Sequence, residues 1–104
     1  MKTITIDGHE YTPVNRADFY PWEIGTPYLI RTVTMINVGK LVFVGPTELV
    51  LTDAAWIADT GRFHDCLKDP KAIKEAEPYV NDCIIGRGSI CDATQWFDVK
   101  VSQQ

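Results

Sequence analysis

The chain opens on an alternation of apolar and polar residues, "TITIDGHEYT", interrupted by Asp7-Gly8. An Asp-Gly pair supplies the positive φ angles of a two-residue hairpin turn, so Thr3 to Ile6 and His9 to Thr12 are predicted to pair as strands. From Pro13 to Pro27 the prolines, Gly25 and the aromatic residues Phe19, Tyr20 and Trp22 follow no period. That stretch reads as an ordered loop with one helical turn from Asn15 to Phe19, pinned by its aromatic residues. Three dense β segments come next: Tyr28 to Ile36, Gly39 to Val44 and Glu48 to Asp53. Turn-forming residues at Asn37 to Gly39 and at Gly45-Pro46 separate them, which predicts an antiparallel meander. Leu41 and Phe43 share one face in this reading, Leu49 and Leu51 the face that meets it, and Val42, Val44 and Val50 the other. Both faces of the sheet are then apolar, so it must close on itself, pack on the N-terminal hairpin or meet another subunit.

Beyond Asp53 the period changes. Thr60 is placed to cap a helix beginning at Gly61, with Phe63 and Leu67 four apart on one face. Asp69-Pro70 restarts a short helix that Glu77-Pro78 ends, giving a helical insertion at about 60–76. The β pattern returns at Asp82 to Gly86, breaks at Gly86 and Gly88, and resumes from Ser89 to Cys91. In the tail "WFDVKV", Phe97, Val99 and Val101 alternate with Asp98 and Lys100, the pattern of a last edge strand.

Composition narrows the class. A length of 104 residues fits a single domain, 1–104, mainly β with some α. Apolar residues make up 45% and charged residues 23%, which separates the chain from disordered sequences. The net charge of -4 supplies no general attraction for polyanions, so nucleic acid is not the expected partner. No apolar run approaches the roughly 20 residues that a membrane-spanning helix needs, and the start "MKTITIDG" has no signal-peptide core. The expectation is a cytoplasmic protein without membrane contact. Cys66, Cys83 and Cys91 form no C-x-x-C pair, and with His64 they match no common zinc spacing. They are read as reduced, buried thiols, with no metal and no cofactor.

Two stretches carry candidate chemistry. In "IIGRGSI", Gly86 and Gly88 can expose backbone N–H groups beside the Arg87 guanidinium, and Ser89 adds a hydroxyl, an arrangement suited to phosphate or carboxylate. The plainer alternative is a sharp bend in a strand, with Arg87 paired to a carboxylate such as Asp92. In "DAAWIADTGRFHD", Thr60 and Gly61 lie at a helix start, Arg62 and His64 supply charge, and Trp56 offers a ring on which a base can stack. Here the plainer alternative is a capped helix with Trp56 and Phe63 in the core. Neither a nucleophile elbow, nor a phosphate-binding Walker loop, nor a His-Glu metal motif occurs, which points to a non-enzymatic protein.

"GKLVFVGPTELVLTDA", Gly39 to Ala54, resembles the first motif of Sm-like proteins, and "IIGRGSI", Ile84 to Ile90, resembles the second, centred on Arg87-Gly88. The resemblance implies a small Sm-like or SH3-like barrel, here with an N-terminal hairpin and a helical insertion. Sm proteins that hold RNA carry an Asp and an Asn in the loop between the first two strands, where this chain has "GPTE", Gly45 to Glu48. A second resemblance runs from about Tyr28 to Trp96: the order "LTDAAWIADTGRF", "EAEPY", "IIGRGSICDATQW" is similar to a set of small uncharacterised phage and prophage proteins. It implies a phage accessory protein acting in the host cytoplasm. The resulting expectation is a homo-oligomer that binds a small anionic, nucleotide-derived ligand and sequesters a host defence signal. Arg87, Ser89, Gly86 and Gly88 would hold phosphate, with Arg62, His64, Thr60 and Trp56 around it. The alternatives are an Sm-like RNA-binding ring and a virion-associated or host-protein-binding structural protein.

Overall fold

In a computed structural model, the structure describes the backbone of residues 4–6 and 9–11 and all of residues 20–104. Strands β1 (Ile4–Ile6) and β2 (His9–Tyr11) pair antiparallel with Ile6 opposite His9, the register of a two-residue connection. The Asp7-Gly8 turn, the side chain of His9 and the helical turn expected at Asn15 to Phe19 lie outside the described residues.

The main sheet contains β3 (Pro27–Thr32), β4 (Ile36–Val44), β5 (Glu48–Asp59), β6 (Glu75–Pro78), β7 (Cys83–Gly86) and β8 (Ile90–Gln95), all antiparallel. The order is β6-β5-β4-β3-β8, and β7 pairs with the first part of β5 on the side that β6 occupies further along. The expected meander is present, but its first turn is at Val33 to Met35, and Asn37 to Gly39 lie inside β4. Among the described residues no strand pairing joins β8 to β6 or β7, so the hydrogen-bonded sheet is open.

Two irregularities decide which residues reach which side. Asp53 has a φ of +49°, and around it the β4–β5 register skips from Val38 opposite Ala55 to Lys40 opposite Thr52. An extra residue in a strand reverses the face of everything beyond it. Leu49 and Leu51 accordingly enter one core and Ala55 and Ile57 the other, although all four occupy odd positions. Gly39 sits across from this bulge, where a Cβ would come within 3.0 Å of both the Ala54 and the Leu51 Cβ atoms. A second skip, between Leu41 and Phe43, turns Val44 toward the first core and leaves Phe43 exposed, contrary to the alternation that placed Leu41 and Phe43 together.

The first core gathers Tyr28, Ile30, Leu41, Leu49, Leu51 and Ile85 from four adjacent strands, with Trp22 packed edge-on to Tyr28 at 5.1 Å. The second core, on the opposite face, gathers Leu29, Val38, Ala55 and Ile57 and is covered by segments outside the sheet. Cys66 comes from helix α1 (Phe63–Lys68), Ile73 follows a short 3-10 turn (Pro70–Ala72), and Trp96 and Val101 come from the tail. The second apolar face is therefore covered within one chain, and it does not itself call for another subunit.

The insertion is shorter than the expected 60–76, because residues 75–78 form strand β6. Arg62, not Thr60, is the residue before the helix, and no side chain caps it. The Thr60 hydroxyl donates to its neighbour's carbonyl, at Gly61, while the Asp59 carboxylate accepts from the Gly61 N–H at 2.8 Å. Asp69 does cap the 3-10 turn through the Lys71 N–H, with Pro70 as its first residue. The tail forms no strand. It meets β6 where Ala76 and Gln104 exchange both backbone hydrogen bonds and the Gln103 amide donates to the Glu77 carboxylate, and the Trp96 indole donates to the Cys66 carbonyl at 3.0 Å.

Candidate functional site

The residues of "IIGRGSI" form a tight 3-10 turn, Arg87–Ser89, between β7 and β8. The Arg87 guanidinium donates to the Gly45 carbonyl at 2.7 Å and the Arg87 N–H to Thr47, which fastens the turn to the β4–β5 hairpin. The Ser89 hydroxyl donates back to Gly86, and an added Cβ at Gly86 or Gly88 would meet open space. Arg87 pairs with a carbonyl and not with Asp92, whose carboxylate accepts two bonds from Arg31, one of them from Nε at 2.7 Å. That pair holds the Asp92 carboxyl below its ordinary range, and the same guanidinium lies 4.6 Å from the centre of the Phe63 ring. Arg31 thus ties β8 to helix α1 across β3.

Arg62, just before the helix, and His64, on it, are exposed over the second core, whereas Arg87 stands beside the hairpin next to the first. Three other expected residues approach each other through the turn between β3 and β4. Gly86 and Ser89 line a cleft of about 250 Å³ with Thr32, Val33, Met35 and Ile84. Trp56 lines a second cleft, of about 260 Å³, with Arg31, Thr34 and Met35. Arg31 also lines that cleft, but its guanidinium is held by Asp92 and Phe63, and its row of the sheet, with Ile36 and Ile57, faces away from that of Asn37 and Trp56. The exposed apolar side chains of these clefts are Val33, 76% exposed, and Ile84, 72%, in the first, Trp56, 39%, in the second, and Met35, which lines both.

A larger cleft, about 580 Å³, lies beside β5 under the connection from β6 to β7. Val50, Val80 and Ile84 supply apolar walls, Asp53 and Asp82 carboxylates, and Lys100 reaches in from the tail. At its edge the Tyr79 hydroxyl donates to the buried Asn37 side chain at 2.8 Å, and burial, reinforced by the Cys83 thiol, pushes the Tyr79 phenol up to about 12. Sequence reading missed this cleft, because the Asp53 bulge and the Lys100 tail meet only in the folded chain.

Cys83 is buried in the first core and Cys66 in the second, each thiol pushed up by burial, while Cys91 is exposed, against the expectation of three buried thiols. Among the described residues no three His, Cys, Asp or Glu side chains converge as metal ligands, and no helix is long and apolar enough to cross a membrane. Compared with protein-family models, curated proteins and solved structures, the chain matches none.

Proposed function

We propose that this chain is a small non-enzymatic binding protein of SH3-like or Sm-like barrel type that works as a homo-oligomer. The strand order β8-β3-β4-β5-β7, the bend in β5 and the 3-10 turn from β7 to β8 support the barrel reading. The observation that carries self-association is the exposed apolar surface at the β3–β4 turn, where Val33 and Ile84 share one cleft and Met35 continues into the cleft of Trp56. Contiguous exposed apolar groups beside an open strand edge are the usual mark of an interface. Sedimentation velocity tests this: the wild type is expected to sediment as an oligomer and the double variant Val33→Asp, Met35→Asp as a monomer. A wild type that stays monomeric at every concentration refutes it.

A second reading is a small anionic, nucleotide-derived ligand in the clefts that flank the same turn. Its support is the half-exposed ring of Trp56 in one cleft and the presence of Ser89 and Gly86 in the other. The phage-like motif order adds a setting, an accessory protein that sequesters a host defence signal in the host cytoplasm. Native mass spectrometry of protein taken directly from cells reads this ligand and the subunit number together. A retained nucleotide-sized mass that Trp56→Ala loses favours the ligand, and a bare oligomer favours interaction with protein alone.

A further inference from the structure

We infer that the cleft beside β5 binds a primary ammonium group carried on an aliphatic stem, and that Lys100 of the chain's own tail competes for the same place. This site shares Ile84 and Tyr79 with the cleft at the β3–β4 turn, but its charged residues, Asp53, Asp82 and Lys100, lie outside that cleft.

Four observations converge. The volume, about 580 Å³, is that of a small-ligand site. Val50, Val80 and Ile84 offer aliphatic contact to a stem, beside the polar Thr52, Tyr79 and Asn81. The charges are Asp53 and Asp82 against Lys100, an excess of one carboxylate that repels anions and attracts a cation. Finally, the cleft already holds an ammonium on an aliphatic stem: the Lys100 Nζ stands 3.8 Å from the Asp53 Oδ1.

That internal contact is easily displaced. Both side chains are largely solvated, at 75% and 59% exposure, and exposed pairs of this length contribute little. The backbone at Asp53 supports the same role. Its φ of +49° belongs to the bulge that bends β5, and bulges redirect side chains at the positions they occupy. Asp and Asn tolerate the left-handed region better than other residues with a side chain, so carboxylate chemistry and strand bending meet in one residue.

Chemical-shift titration with pentylamine, and with pentanol as the uncharged control, tests the assignment on the full chain. Pentylamine is expected to shift the amides of Val50, Asp53 and Ile84, while pentanol leaves them in place. Lys100→Ala, which removes the competitor, is expected to tighten amine binding by about threefold, the scale of a lost exposed ion pair. Asp53→Asn keeps a residue that accepts the backbone angle and is expected to weaken binding by about threefold, since the carboxylate is largely solvated. Asp82→Asn provides a second variant away from the bulge and is expected to weaken binding in the same direction. N-acetyl-lysine methylamide distinguishes the sources: tighter binding than pentylamine assigns a peptide-borne lysine, weaker binding a free alkylamine. Equal shifts with pentanol, undiminished amine binding by both aspartate variants, or no amine binding by the Lys100→Ala protein overturns the proposal.

Discussion

The two cores on opposite faces of the sheet are built differently. The first is made almost wholly of strand residues, Tyr28, Ile30, Leu41, Leu49, Leu51 and Ile85, each adjacent in the sheet to the next. The second takes its sheet half from Leu29, Val38, Ala55 and Ile57 and its cover from Cys66, Ile73, Trp96 and Val101. One core is built from residues of neighbouring strands. The other is covered by a six-residue helix, a 3-10 turn and a strand-free tail, so its stability depends on short elements that do not persist alone. What remains unpartnered is the turn surface, the edges and the exposed Val42, Phe43 and Ile84, a narrower contact than a whole sheet face.

Removing one buried side chain from each core tests the difference. Leu51→Ala, at a position with no exposure, is expected to cost about 2–5 kcal/mol and to lower the midpoint of a single cooperative denaturant transition. Val101→Ala is expected to cost about 1.5 kcal/mol, from the loss of two carbons at a nearly buried site. It should act locally, raising amide hydrogen exchange in α1 and at Ala76 while the first core keeps its protection. Equal, global destabilisation by both variants would mean that the two cores unfold as one unit.

The smallest expected effect is set by pH. Asp92 has its carboxyl lowered by the Arg31 hydrogen bonds, so the pair contributes above the unfolded carboxyl value of 3.8 and is lost as pH falls through the folded value beneath it. Both groups are solvated, and the consequence is a loosening of the Phe63 end of α1 in acid, not unfolding. Following the Arg31 Nε–H resonance and α1 amide exchange below pH 4 checks this, and Asp92→Asn should abolish the pH dependence.

The N-terminal pairing, the three central strands, the Asp69 cap and the change to helix after β5 were legible in the sequence, because each follows from a local preference. The length of β5 was not. Asp53-Ala54 reads as a strand end, yet the chain pairs onward to Asp59, since residues 75–78 supply a partner that local pattern cannot reveal. Nor was the tail legible: Phe97, Val99 and Val101 alternate as in a strand, but Val101 is drawn down onto the second core while Gln104 bonds to Ala76. The candidate site was legible only in part. Trp56, Ser89 and Gly86 do line clefts at the β3–β4 turn, whereas Arg62 and Arg87 stand beside different cores.

By itself the sequence determined that this chain forms antiparallel strands with apolar residues on both faces, and roughly where the strands lie. Only the tertiary structure decided which face each residue joins. The physical reason lies at Asp53 and at the skip between Leu41 and Phe43: one extra residue reverses every side chain beyond it, at little local cost, and the packing across the sheet selects that register.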